Sequence, residues 1–105
     1  MKRIGFQMKV KQEKMEEYKK AHRNVWPEML EALRQAGWHH YSIFAREDGL
    51  LFGYFETEES LQAAQAKMAV QDVNTRWQTT MAPYFEANLR PDETFLELEE
   101  IFHLD

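Results

Sequence analysis

The stretch EEYKKAHRNVWPEM, residues 16–29, places a tyrosine, a histidine and a tryptophan four residues apart, at Tyr18, His22 and Trp26, and then meets Pro27. Residues at this spacing share a helix face. Tyr and His on one face can act as proton-transfer partners, because both carry exchangeable protons and His titrates near neutrality. In this reading Tyr18 and His22 line a pocket, and Trp26, at the Pro27 break, packs the helix against a sheet. The alternative is an aromatic core stripe with His22 at its edge.

A second group of interest is Arg76-Trp77-Gln78. An indole flanked by polar side chains suits a sugar, whose C–H faces stack on the ring while its hydroxyls take directional hydrogen bonds. The competing reading is a core tryptophan. His39 and His40 are adjacent in an extended stretch, so they point to opposite faces and cannot chelate one ion. His39 is expected on the face of Tyr41, and His40 on that of Trp38, at a surface or interface. With no cysteine and no His-x-His or His-plus-carboxylate cluster, a metal site is not expected. Glu100 interrupts an apolar strand face and must find a partner, such as a ring nitrogen or a backbone group, or stay protonated. No phosphate-cradling loop, nucleophile elbow or dinucleotide fingerprint is present, and no cofactor is called for.

The elements that must position these groups follow from periodicity. Residues 3–10 alternate, with Ile4, Phe6, Met8 and Val10 on one side, and read as a strand. Residues 12–25 are rich in helix formers. Pro27 ends that run and opens a second helical piece through Met29, Leu30 and Leu33 to a stop at Gly37. WHHYSIFAR and LLFGYFETE read as strands joined at Asp48-Gly49, the strongest hairpin signal in the chain. EESLQAAQAKM and VNTRWQTTM are helical pieces, EANLRPDET is aperiodic, and FLELEEIFHL reads as a last strand, with Leu96, Leu98, Phe102 and Leu104 on one face. The order β-α-β-β-α-β is the ferredoxin-like pattern, an α+β sandwich with helices on one side of an antiparallel sheet.

The chain of 105 residues is one domain, 1–105. A net charge of -5 with interspersed signs offers no nucleic-acid surface. The absence of cysteine excludes disulfides and thiolate chemistry. The alternating N-terminus is unlike a signal peptide, and no window resembles a membrane span, so a cytoplasmic location is expected. The middle strands carry apolar residues on both faces: Tyr41, Ile43 and Ala45 against Trp38 and Phe44, and Leu50, Phe52 and Tyr54 against Leu51 and Phe55. Helices cover only one face, so a second copy is expected on the other.

The chain resembles the L-rhamnose mutarotase family along nearly its whole length. The resemblance is carried by EEYKKAH…WPEM at 16–29, HHYSI at 39–43, LLF at 50–52, DVNTRW at 72–77 and FLELEEIFHL at 95–104. It implies a cytoplasmic homodimer with a ferredoxin-like fold of the dimeric α+β barrel type. The implied activity is cofactor-free interconversion of the α and β anomers of L-rhamnose, in rhamnose catabolism. It also implies His22 as proton donor, and Tyr18 and Tyr41 as sugar-binding residues. The family usually ends its second-helix motif with two tryptophans; here Trp77-Gln78 occupies that place. The rival readings are a cofactor-free monooxygenase of the same architecture and a non-catalytic sugar-binding or dimerisation module.

Overall fold

The computed structural model describes residues 1–86 and 90–105. The elements are β1 (Lys2–Lys9), α1 (Met15–His22), α2 (Pro27–Gln35), β2 (His39–Ala45), β3 (Leu50–Thr57), α3 (Leu61–Ala69), α4 (Asp72–Met81) and β4 (Leu96–Leu98), with short 3-10 turns at Gln12–Lys14, Ala82–Tyr84 and Pro91–Glu93. The strands form one antiparallel sheet in the order β2-β3-β1-β4. That is the expected ferredoxin-like topology. Of the aperiodic stretch 86–94, residues 87–89 lie outside the described residues.

The core lies between the helices and one face of the sheet. Ile4, Phe6 and Met8 alternate into it from β1, and Leu51 and Phe55 from β3. Phe6 is fully buried and stacks on Phe95 at 4.0 Å between ring centroids. Its register partner is Gly53, and a Cβ built there would clash with the tip of the Phe6 ring. Only glycine leaves room for the ring at the sheet's centre.

Helix α2 ends as its sequence signals predict. Gly37 has φ +83°, its N–H donates to the Arg34 carbonyl and the Trp38 N–H donates to the Leu33 carbonyl. This pair of bonds is a Schellman closure, which needs a left-handed residue at its turn. It delivers Trp38 into the core, where the indole stacks on Phe55 at 3.9 Å and donates to the Ala64 carbonyl.

Strand β2 departs from simple alternation. His39 pairs with Glu56 and Ser42 with Tyr54, so an extra residue bulges from β2. His40 sits in this irregularity with φ +52°. The bulge changes the parity of the strand. Trp38 and Tyr41 both reach the helix side, with ring centroids 5.1 Å apart, instead of lying on opposite faces. For the same reason His39 is not on Tyr41's face but across from Glu56, on the outer side, and His40 is exposed.

Three other expectations are corrected. Helix α1 stops at His22, and Trp26 is extended (φ −55°, ψ 133°), as a residue before proline prefers. Trp26 is therefore outside α1, and it packs on α4 rather than on the sheet. The last strand is three residues long, not ten. Its register pairs Leu96 with Gln7 and Leu98 with Gly5. Glu100 finds neither a ring nitrogen nor a backbone group. Arg3 donates to it through Nε at 2.7 Å and Nη2 at 2.9 Å, on the exposed face.

Two substitutions test this packing. Gly53→Ala should lower the unfolding free energy by roughly 3 kcal/mol, because the new methyl must displace a closely packed ring. His40→Gly should raise it by about 0.5–1 kcal/mol through relief of the left-handed backbone. Urea melts measure both; a neutral Gly53→Ala would contradict the Phe6 contact.

Candidate active site

His22 closes the last turn of α1, held by the turn beneath it. The Tyr18 carbonyl, 2.9 Å from Nδ1, can only accept, so Nδ1 carries the proton and Nε2 is left for other partners. The His22 ring lies 4.3 Å from the Tyr18 ring and meets the Trp77 indole edge-on at 5.5 Å. Trp77 meets Trp26 edge-on at 5.0 Å. The ring series begun by Tyr18 and His22 thus reaches Trp26 by way of α4. Arg76 lies outside it, exposed, its guanidinium 6.0 Å from the Trp26 ring centre.

Beneath these rings is a cavity of about 330 Å3, at the small end of the roughly 300–1,000 Å3 range of small-molecule sites. Its walls differ in character. Helix α2 and the segment before it contribute apolar side chains: Val25, Met29, Leu30 and Leu33. Polar groups come from elsewhere: His22 from α1, Tyr41 from β2, Asn74 and Gln78 from α4, Gln65 from α3 and Asp92 from the turn at Pro91–Glu93. A smaller adjoining cavity shares His22, Tyr41, Trp77, Gln78 and Asp92, and adds Tyr18.

The structure thus gathers His22, Tyr41, Trp77 and Gln78 around one space, with Tyr18 reaching it from the smaller cavity. Trp77, only 7% exposed, belongs both to the core and to the cavity wall, so the two sequence readings of it are compatible. His39, His40 and Glu100 are outside both cavities. Among the described residues, no group of three His, Cys, Asp or Glu side chains is placed to hold a metal ion.

Asn74, Gln65 and Asp92 were not anticipated. Asn74 is 1% exposed and donates to the Met68 carbonyl and to Asp92 Oδ2, both at 3.2 Å; its own Oδ1 accepts from Gln78 Nε2 at 3.0 Å. The Asn74–Gln78 spacing of four was the available signal. Asp92 had none, because it reaches the cavity only where the chain after α4 crosses back.

Burial sets the protonation of the candidate groups. It raises both the Tyr18 and the Tyr41 phenols well above their ordinary 10, for Tyr41 with smaller contributions from Tyr18 and Asp92. It lowers His22 below 6.5, partly opposed by the bond to the Tyr18 carbonyl. Near neutral pH the phenols keep their protons, and His22 is mainly the neutral imidazole.

Fold and cavity together define a ferredoxin-like α+β protein with an aromatic, imidazole-bearing site between sheet and helices. The family model described as L-rhamnose mutarotase matches residues 3–104, and the chain belongs to that family. It is 45% identical to an L-rhamnose mutarotase of Bacillus subtilis and 40% identical to one of Oceanobacillus iheyensis, each match covering the full length of both chains. A crystal structure of an L-rhamnose mutarotase from Formosa agariphila superposes with a TM-score of 0.79 over the whole of both chains, at 29% identity.

His22 also ties stability to pH. A histidine whose folded pKa is depressed binds fewer protons in the fold than in the unfolded chain. Stability from the neutral ring is therefore complete above about 6.5 and declines as pH falls toward the folded pKa. The NMR titration midpoint of His22 should lie below 6.5. Urea melts at pH 7.5 and 5.5 should differ more for the native chain than for His22→Gln; equal differences would show that His22 is not buried against charge.

Proposed function

We propose that the chain interconverts the α and β anomers of L-rhamnose, or of a closely related aldose, by acid/base opening and reclosing of the sugar ring. The observation that carries this reading is a cavity of mixed lining, in which an imidazole, an indole and several polar groups share one space with apolar side chains. A deoxy sugar presents the matching surfaces: hydroxyls on one side, a methyl and C–H faces on the other. The family membership supports the same reaction.

In this reading Trp77 stacks on the sugar, and Gln78, Tyr18 and Tyr41 take its hydroxyls. Gln78 stands where the family usually has a second tryptophan, so a hydrogen-bonding amide replaces a ring on this wall. His22 delivers a proton from Nε2 to the ring oxygen as the C1–O bond breaks. Its depressed pKa makes the imidazolium a stronger acid, although a scarcer one near neutral pH.

We also propose a cytoplasmic homodimer built sheet to sheet. The face of the sheet away from the helices exposes Phe44 (61%), Phe52, Leu96 and Leu98. Beyond it the last residues expose Ile101 (88%), Phe102 and Leu104. So much contiguous apolar surface favours a covering partner.

Anomer exchange is read by NMR from the anomeric protons of L-rhamnose. The native chain should accelerate it, whereas a binding module perturbs the sugar without exchange and a monooxygenase does neither. His22→Ala should fold normally and lose exchange by a factor on the order of 10²–10⁴. With His22 as acid, kcat/KM falls as pH rises through the His22 pKa; activity that instead rises through that pKa would make His22 a base. For assembly, sedimentation equilibrium should show a dimer for the native chain and a monomer for Phe52→Glu. A stable native monomer at micromolar concentration ends the assembly proposal.

A further inference from the structure

Opening a cyclic hemiacetal requires two proton movements, one onto the ring oxygen and one away from the anomeric hydroxyl. The mutarotase reading above, on which this inference rests, assigns His22 to the first. The second needs an acceptor. Tyr18 and Tyr41 are poor candidates, since both phenols are buried and hold their protons. Among the described residues lining either cavity, Asp92 supplies the only carboxylate. It lies on the wall the two cavities share, together with His22, Tyr41, Trp77 and Gln78.

Asp92 is held in place from several directions. Arg90 donates through Nε to Oδ1 and through Nη2 to Oδ2, each at 3.1 Å. Asn74 donates to Oδ2 at 3.2 Å, and Gln65 donates at 2.6 Å to the Asp92 backbone carbonyl. The Asp92 side chain is 19% exposed, far less than an ordinary surface ion pair leaves a carboxylate. A carboxylate offers about four acceptor positions. Two donors occupy Oδ2 and one occupies Oδ1, so the open position is on Oδ1. An acceptor fixed this way needs little reorganisation when a proton arrives.

We propose that Asp92 is the second proton-transfer group of the site and that its Oδ1 takes the anomeric proton. As the C1–O bond to the ring oxygen breaks, its electron pair goes to that oxygen, which receives the proton of His22. The anomeric O–H bond supplies the electrons of the new aldehyde carbonyl, and its proton passes to Asp92. Rotation about C1–C2 presents the other carbonyl face. On reclosing, Asp92 returns its proton to the carbonyl oxygen, and His22 recovers one from the attacking hydroxyl. Nothing is consumed, and both groups finish as they began. Arg90 and Asn74 are positioning residues for the carboxylate.

The test begins with exchange by the native chain on L-rhamnose. Absence of exchange there overturns the reaction, not the role of Asp92 within it. Given exchange, Asp92→Asn should lower kcat on the order of 10²–10³-fold with KM changed less than about threefold, at an unaltered urea midpoint. Added formate should restore part of the exchange of Asp92→Ala in a dose-dependent way. Arg90→Gln, which keeps the carboxylate and removes its ion pair, should lower kcat by roughly two- to tenfold with KM little changed. That variant also decides the matter if the Asp92 variants do not fold, since an unchanged kcat then overturns the proposal. So does Asp92→Asn with kcat within about fivefold of native, or with only KM raised. Equal losses in Arg90→Gln and Asp92→Asn would reduce Asp92 to a structural tie.

Discussion

The structure depends most on how β2 enters the sheet. A strand that alternated strictly would send Trp38 and Tyr41 to opposite faces. The irregularity between His39 and Ser42, with His40 left-handed, turns both toward the helices. Trp38 then caps the core by stacking on Phe55, and Tyr41 is free to line the cavity. Strain at one exposed residue thus serves a core ring and a site ring together. A bulge beside a site commonly re-aims a side chain in this way.

The aromatic residues join the core to the site without a boundary. Phe6 occupies the centre of the sheet because Gly53 leaves space for it. From there the rings continue through Phe55, Trp38 and Tyr41 to the cavity. On the far side Tyr18, His22, Trp77 and Trp26 follow one another across α1, α4 and the start of α2. The same burial that makes these contacts sets the chemistry. It keeps the phenols protonated and weakens the imidazole as a base, so the protonation states near neutral pH follow from packing.

The opposite face of the sheet follows a different logic. Glu100 is exposed and satisfied by Arg3, and burial opposes rather than drives the fall in its pKa, whose main cause is the hydrogen bond from the guanidinium. The same face also exposes Phe44, Phe52 and Leu98. Such a face is stable in water only at a cost in exposed apolar area. The short β4 lies at the same sheet's edge, paired with β1 from Leu96 to Leu98.

Much of this protein was legible in its residues. Alternation in β1, the Asp48-Gly49 turn, Pro27 at a helix start and Gly37 at a helix end are local signals, and each acts locally in the fold. The order of elements follows from them, and with it the sheet topology. The spacing of Tyr18 and His22 on one helix face was likewise determined within one turn of backbone. Tertiary structure decided the rest, since it depends on which distant segments meet. The parity of Trp38 and Tyr41 changed because a bulge is a property of paired strands. Trp26 left the sheet for Trp77 because α1 ended earlier than its composition required. Glu100 met Arg3, 97 positions away, and Asp92 came to line the same cavity as His22 only because distant parts of the chain meet there. Local periodicity carries no information about such meetings, because they are settled by the packing of whole elements against one another.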